Sequence, residues 1–207
     1  IYNEKILILK KLKKIYPCFE TPEELSLKRK TQLSSGNPPI YDRSALKLST
    51  SQIEYLIKEG KKPHWRFKIK DQIIEWNDLI KGKVSFDSKN LSDPVVIRED
   101  GSLLYHLPSV IDDIEENITD IIRGEDHISN TAFHIQLFQS LSSKIPQFGH
   151  HPFLIDEKGT VLGKRLGSFS IQKMHEEGFE NLTLINYLLS IGTSKNLSKE
   201  KDINKLV

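Results

Sequence analysis

Ile118-Thr119-Asp120-Ile121-Ile122-Arg123-Gly124-Glu125-Asp126-His127 is the stretch on which the fold turns. Residues 118–123 carry the β-branched apolar content of a buried strand, and the charged run behind them breaks it off at a polar turn. Residues 129–141 place Phe133, Leu137 and Leu141 on one face of an amphipathic helix. Residues 153–155 (Phe-Leu-Ile) read as the next strand, and residues 109–116 as a short helix before the first. Strand, polar turn, helix, strand is the βαβ pattern of a parallel sheet, so this part of the chain is α/β.

In an open parallel sheet, ligands bind beyond the carboxyl ends of the strands. The run from Arg123 to His127 falls at such an end. Arg123 can grip a carboxylate with two parallel hydrogen bonds, and Gly124 leaves room for close approach. Glu125 and Asp126 can accept from ribose hydroxyls or an amino group. His127 falls near a helix N-terminus, where anions are favoured. Taken alone, the same run also suits a polar loop capping a helix. Further on, Gly163-Lys164-Arg165-Leu166-Gly167-Ser168 is a short basic loop that can close over phosphates, with Lys164 facing developing negative charge. It lacks the spacing of a Walker loop.

The first half reads differently. Residues 3–15 suggest a helix with Ile8, Leu12 and Ile15 on one face, ended by Tyr16-Pro17. Thr21-Pro22-Glu23-Glu24 is a capping box opening a helix to about Gln32, and Ser51 with Glu54 suggests another, stopped near Gly60. Residues 65–70 alternate as a half-buried strand, residues 84–86 and 95–97 look like further strands, and Asp100-Gly101 marks a hairpin turn before 103–105. Residues 64–105 therefore predict a small, mainly antiparallel sheet. Asp156-Glu157-Lys158-Gly159 is a turn, 181–191 a helix, and 194–207 a polar, lysine-rich end.

Composition narrows the function classes. No apolar run of the 207 residues approaches the roughly 18 that a membrane span needs, and no signal peptide is visible. One cysteine, Cys18, leaves no partner for an intramolecular disulfide and fits a reducing cytoplasm. The seven histidines show no metal spacing, so no metal site is expected. Ser168 and Ser170 have no accompanying triad, which argues against a serine hydrolase. Asp112-Asp113 with Glu115-Glu116 reads as a solvated helix face, and His150-His151-Pro152 either lines a pocket or holds a strand edge. Residues 1–100 hold 20 Lys/Arg against 14 Asp/Glu, while 101–207 hold 10 against 14. A basic half suits a polyanion such as nucleic acid. Trp65 and Phe67 among cationic neighbours could stack on bases or fill a core.

Together these pieces are more specific than any one of them. Tyr16-Pro17-Cys18-Phe19, Thr21-Pro22-Glu23-Glu24-Leu25, Pro39-Ile40-Tyr41-Asp42, Arg66-Phe67-Lys68, Tyr105-His106-Leu107, Val110-Ile111-Asp112-Asp113, the run from Thr119 to His127, Ser129-Asn130-Thr131 and Gly178-Phe179 follow one another in order and spacing that resemble bacterial glutamyl-tRNA synthetases. The likeness runs from residue 1 to about Ser194. It implies a class I catalytic core of α/β class, the second half of a Rossmann-type fold carrying an inserted α+β acceptor-stem-binding domain. Residues 1–104 would be the insert and 105–158 the second half of the Rossmann-type domain. Residues 159–207 would hold the signature loop and the start of a helical stem-contact domain.

The resemblance also implies roles. Tyr105, Ser109 and Arg123 match the glutamate pocket, with Arg123 on a substrate carboxylate. Asp126, His127 and Leu154 fall on the ATP side. Leu162-Gly163-Lys164-Arg165 matches the mobile Lys-Met-Ser-Lys-Ser loop, so Lys164, helped by Arg165, would stabilise adenylate formation. Val161 and Gly163 depart from that signature, so a phosphate contact would be either lost or replaced by Arg165. Partners would be ATP with Mg2+, L-glutamate and tRNA(Glu), with tRNA(Gln) possible in such enzymes, in a cytoplasmic monomer. Some members bind zinc through four cysteines in the insert; with Cys18 alone, no zinc is expected. The chain opens on Ile1, and neither the His-Ile-Gly-His signature nor an anticodon-binding domain is present, so the chain is expected to be a fragment. A paralogue that glutamylates a modified tRNA base, and a non-catalytic tRNA-binding module, are the alternatives.

Overall fold

The first helix, α1, spans Tyr2–Lys11 and stops short of the expected residue 15. Its buried face is Ile6 and Leu9, while Ile8 and Leu12 point to solvent. Lys13 takes a left-handed φ of 53°, its N–H donates to Lys10 O at 3.0 Å, and Lys14 N–H donates to Leu9 O at 2.8 Å. That pair of bonds is the helix stop usually built with glycine, made here by lysine. Ile15 then enters a strand, β1 (Ile15–Cys18), which contains the Pro17 expected to break structure. Proline fits because β1 is an edge strand.

The structure, a computed structural model, describes residues 1–162 and 170–192. The chain divides into two units, Ile1–Pro152 and Phe153–Val207. In the first, α2 (Pro22–Ser34) opens with the expected Thr21–Glu24 capping box, worth about 1 kcal/mol. The next helix, α3 (Thr50–Lys58), is capped by Ser49 and Gln52 rather than by Ser51 and Glu54. Gly60 follows it with φ 82°.

A three-stranded antiparallel sheet runs β1–β2–β5, with β2 at His64–Phe67 and β5 at Val95–Ile97. The expected alternation of 65–70 is only partly realised. Arg66 is buried along with Phe67, because its guanidinium lies 4.1 Å over the Tyr41 ring and donates to Asp93 O at 2.6 Å. Residues 98–102 form the expected turn, but residue 103 contributes only an isolated bridge to Ile97. Between β2 and β5 lies a hairpin half missed by the sequence: β3 (Ile73–Asp78) and β4 (Gly82–Asp87).

The α/β part follows. α4 spans His106–Glu115, β6 Asp120–Gly124, α5 Ile128–Ser140 and β7 Gln147–His151. β6 and β7 pair in parallel, Arg123 opposite His150. The second strand of the βαβ unit is thus 147–151, not 153–155. β6 is not fully buried either, since Ile122 is exposed. α5 is buried on nearly all sides. One hydrophobic core joins α1, β2, β5, α4, α5 and β7 through residues such as Leu9, Phe67, Val96, Ile111, Leu137 and Phe148. Each such side chain contributes about 1.5–3 kcal/mol. Phe67 meets Phe133 edge-on at 5.0 Å, so Phe67 is core and not a base-stacking platform.

In the second unit, Asp156 to Gly159 form the expected turn, closed by the Ile155–Val161 bridge. Among the described residues that follow are the helices α6 (Ile171–Glu176) and α7 (Asn181–Gly192). Among the described residues, no helix is long and apolar enough to cross a membrane.

Candidate active site

Arg123 is the last cation of β6 and sits half-buried where that strand gives way to the turn Glu125–His127 and then α5. Its Nη2 donates to Thr131 Oγ1 at 2.6 Å and to His127 O at 3.5 Å. Its Nε is 3.4 Å from His150 Nε2, and its Nη1 is 3.4 Å from His134 Nδ1. The guanidinium also lies 5.6 Å from the Phe148 ring centre. Burial pushes the Arg123 pKa down, while Tyr105, Asp113 and Asp126 raise it. The group remains a cation, since arginine does not deprotonate in proteins.

Tyr105 precedes α4 and is half-exposed beside this cation. Its ring centre is 5.8 Å from that of His127 and 6.0 Å from that of His134. Ser109 lies one turn further on, its N–H bonded to Tyr105 O at 3.1 Å. Asp126 is exposed, and its Oδ2 lies 3.8 Å from His127 Nε2. His127 Nδ1 is held by Asn130 at 3.0 Å. The expected residues Tyr105, Arg123, Asp126 and His127 therefore cluster at one strand end. Gly124 sits at φ −66°, ψ 151°, a conformation open to any residue, so the freedom expected of it is not used by the backbone. Leu154 belongs to the second unit, where it is half-exposed and accepts from Leu162 N at 2.8 Å. Lys164 and Arg165 lie outside the described residues.

Of the groups behind Arg123, the sequence alone leaves His150 between a pocket and a strand edge and assigns no role to Asp78 or His134. His150 is fully buried; its Nδ1 is 2.5 Å from Asp78 Oδ2 and its Nε2 is 2.9 Å from Thr131 Oγ1. Asp78 comes from the turn of the β3–β4 hairpin. Burial alone would raise its pKa, but hydrogen bonds from Lys81 N–H, the His150 ring and backbone, and Ile80 N–H hold it well below the usual carboxylate range. The same turn sends Lys81 to Glu125 at 2.5 Å. His134 is buried against His106, Nε2 to Nδ1 at 3.0 Å. Burial, then the charge of Arg123 and the neighbouring His106 and His127, push its pKa down to about 2, so it is neutral. Arg123 being a donor, His134 Nδ1 is the acceptor, and the proton lies on Nε2, directed at His106.

A second cluster lies in the basic half. Ligand atoms of Cys18, Glu20 and His64 come within 4.8 Å of one another. A count of cysteines and histidine spacing overlooks such a mixed set. The fit to a metal ion is partial. Burial raises the Cys18 thiol to about 12, which favours the protonated form. Glu20 Oε1 already accepts from Tyr41 and Ser44 at 2.6 and 2.9 Å, and the Lys28 ammonium stands 3.6 Å away. Glu20 Oε2 and His64 Nε2 are buried without a hydrogen-bond partner.

Residues 1–205 match the model of the family described as tRNA synthetases class I (E and Q), catalytic domain. The chain belongs to this class I synthetase family. The synthetase chain is 48% identical over 207 residues to glutamate–tRNA ligase 1 of Rickettsia bellii, covering 100% of this chain and 46% of that protein. It is 46% identical over 198 residues to glutamate–tRNA ligase 2 of Hyphomonas neptunium, covering 96% and 44%. A solved glutamate–tRNA synthetase from Elizabethkingia anophelis superposes with a TM-score of 0.85 at 29% identity, over 99% of this chain and 48% of that one. A glutamate–tRNA ligase from Elizabethkingia meningosepticum, solved in complex with its amino acid, matches with a TM-score of 0.73 at 30% identity, over 86% and 36%. The synthetase chain thus spans about half the length of the curated relatives it matches. The α/β fold of the class I family, expected from the run around Arg123, is borne out.

Proposed function

We propose that the chain is part of a glutamate–tRNA ligase, which activates glutamate with ATP and transfers it to the 3′ end of tRNA(Glu). The observation that carries this reading is Arg123, a cation held by Thr131, His127, His134 and His150 at the carboxyl end of a parallel strand, in a family whose named relatives are glutamate–tRNA ligases. In the first step a glutamate carboxylate oxygen attacks the α-phosphorus of ATP, and pyrophosphate leaves. In the second a terminal ribose hydroxyl of the tRNA attacks the activated carbonyl, and AMP leaves. Arg123 meets a substrate carboxylate with its charge and with the Nη1 N–H that its protein neighbours leave free, a contact worth about 1.5–3 kcal/mol for one charged hydrogen bond. Tyr105 and Ser109 border that pocket. Asp126, His127 and Leu154 serve the ATP side, where Mg2+ accompanies the phosphates. Lys164, with Arg165, meets the charge that develops on the phosphoryl oxygens.

Residues 1–104 act as the acceptor-stem domain, 105–158 as the second half of the catalytic domain, and 159–207 as the signature loop and the start of the stem-contact helices. The basic surplus of the first hundred residues supports this division. The enzyme acts as a cytoplasmic monomer and needs no zinc. The test is charging of tRNA(Glu), tRNA(Gln) and tRNA(Asp) with labelled glutamate by the full-length protein carrying this chain. Charging of tRNA(Glu) at its 3′ end, with or without tRNA(Gln), supports the reading. Glutamylation of a tRNA(Asp) base, or tRNA binding without charging, would replace it by the paralogue or by the non-catalytic module.

A further inference from the structure

Arg123 has one salient oddity: no carboxylate within salt-bridge distance neutralises it among the described residues. Its orientation depends on neutral acceptors, and two of them, His134 and His150, are imidazoles that accept only through an unprotonated nitrogen. Asp78 supplies that arrangement. Its carboxylate can only accept, so the 2.5 Å contact to His150 Nδ1 places the imidazole proton on Nδ1. Nε2 is then a bare lone pair. It faces the Thr131 hydroxyl at 2.9 Å and Arg123 Nε at 3.4 Å; Thr131 shares its one proton between His150 Nε2 and His127 O, 3.2 Å away, and its Oγ1 accepts from Arg123 Nη2 at 2.6 Å. The chain of donors runs Arg123 to Thr131 to His150 to Asp78, each link pointing the same way. Had the proton lain on Nε2, it would have faced Arg123 Nε, donor against donor, at 3.4 Å.

The burial supports a built device. His150 and Thr131 are 0% exposed, and Asp78 is 5% exposed. Asp78 also accepts from His150 N–H at 3.0 Å and from Ile80 and Lys81 N–H at 3.1 and 3.0 Å. It is thus fixed by three backbone donors as well as by the ring. The hairpin turn that carries it docks directly on β7, with Leu79 N–H on Phe148 O at 2.8 Å. Gly149 permits this approach. A Cβ there would stand 2.7 Å from Ile122 Cδ1 and 3.3 Å from Leu79 Cβ.

We propose that Asp78 and His150, acting through Thr131, are positioning residues that aim the Arg123 guanidinium at the substrate carboxylate. The inference rests on the reading of Arg123 as the carboxylate grip. It gives the β3–β4 hairpin a part in amino-acid recognition. Breaking the relay leaves the charge of Arg123 in place but frees its direction, so binding of the amino acid weakens while binding of ATP does not.

The experiment is steady-state charging of tRNA(Glu) by the full-length protein and its Thr131→Val, Thr131→Ser, Asp78→Asn and His150→Asn variants, each with a melting curve. Thr131→Val keeps the shape of the side chain and removes the hydroxyl. It is expected to raise the glutamate KM about tenfold, a loss of about one hydrogen bond, with the ATP KM within about twofold. Thr131→Ser restores the hydroxyl and returns the glutamate KM to within about twofold of wild type. His150→Asn keeps a donor for Asp78 but cannot reach Thr131, and is expected to behave like Thr131→Val. Should Thr131→Val fail to fold, Asp78→Asn carries the same comparison. A folded Thr131→Val with unchanged glutamate KM overturns the proposal, as does an equal rise in the KM of glutamate and ATP. If the wild-type protein charges no glutamate at all, the functional reading itself fails and the relay falls with it.

Discussion

His134 Nδ1 stands 3.4 Å from Arg123 Nη1, a neutral imidazole facing a cation inside the fold. The folded pKa of about 2 lies below the unfolded value near 6.5, so the unfolded chain binds the extra proton. Stability therefore rises with pH across that window and is lost as pH falls below about 6.5. His106 is shifted in the same direction, by burial first and then by Arg123 and His127. Between pH 7 and 5, above the range where carboxylates titrate, the melting temperature is expected to fall, and His134→Gln to flatten the slope. A melting temperature that stays level or rises on acidification contradicts the arrangement.

Asp93 is expected to be a keystone of the basic half. It is 1% exposed and accepts from Tyr16 Oη at 2.7 Å, from Arg43 Nε and Nη2 at 3.0 Å each, and from Ile69 N–H at 3.1 Å. Asp93→Ala strands these donors together. Loss of one partner from a buried pair costs about 3–5 kcal/mol. Arg43 is part-exposed and keeps Asp71, so the loss read by urea denaturation is expected at about 2–4 kcal/mol. A loss under about 0.5 kcal/mol would show the cluster to be ornamental.

The parts of the fold that the sequence makes legible are those with a strong local pattern. The Thr21–Glu24 capping box, the helix at α5 and the strand through Arg123 were legible from local pattern alone, although α2 buries nothing, α5 is buried almost all round and β6 leaves Ile122 exposed. The parts that were hidden have a polar residue facing inward. β3 turns Ile74, Trp76 and Asp78 toward the interior, and the carboxylate spoils the apolar alternation. β7 offers Phe148 and then a buried histidine, which is why the more apolar 153–155 looked like the strand. These two polar residues satisfy one another inside the fold, helped by backbone N–H groups on Asp78 and by Thr131 on His150, and they stand 72 positions apart. The end of α1 was hidden for a different reason, since its left-handed stop is Lys13 and carries no glycine signal. At the site, Tyr105, Arg123, Asp126 and His127 could be named because the resemblance covers them. Asp78 and His134 could not, because only tertiary packing gives them a role.

Gly149→Val tests the docking of the hairpin on β7. The added side chain meets Leu79 Cβ as well as the flexible end of Ile122. Overpacking of this kind costs about 1–3 kcal/mol. The loss is expected to come with a raised glutamate KM in the full-length protein, because the turn that carries Asp78 is pushed away. Full stability with unchanged kinetics would show that the hairpin does not need its close seat.

Lys164→Ala tests the loop expected to meet the phosphates. Removing a group that acts on developing charge typically costs about 10²–10³ in rate. Pyrophosphate exchange in the presence of tRNA(Glu) is expected to slow by that order, with tRNA affinity within about twofold. An equal loss of tRNA binding refutes the role.

The most direct test of the account is the glutamate KM of Arg123→Lys in the full-length protein. Lysine keeps the charge but not the planar pair of donors, and it cannot reproduce the bonds to Thr131, His134 and His150. The account predicts a rise of about 10- to 100-fold in the glutamate KM, with the ATP KM within about twofold and a melting temperature lowered by the lost buried bonds while the protein still folds. A glutamate KM equal to wild type in a folded Arg123→Lys protein would contradict it.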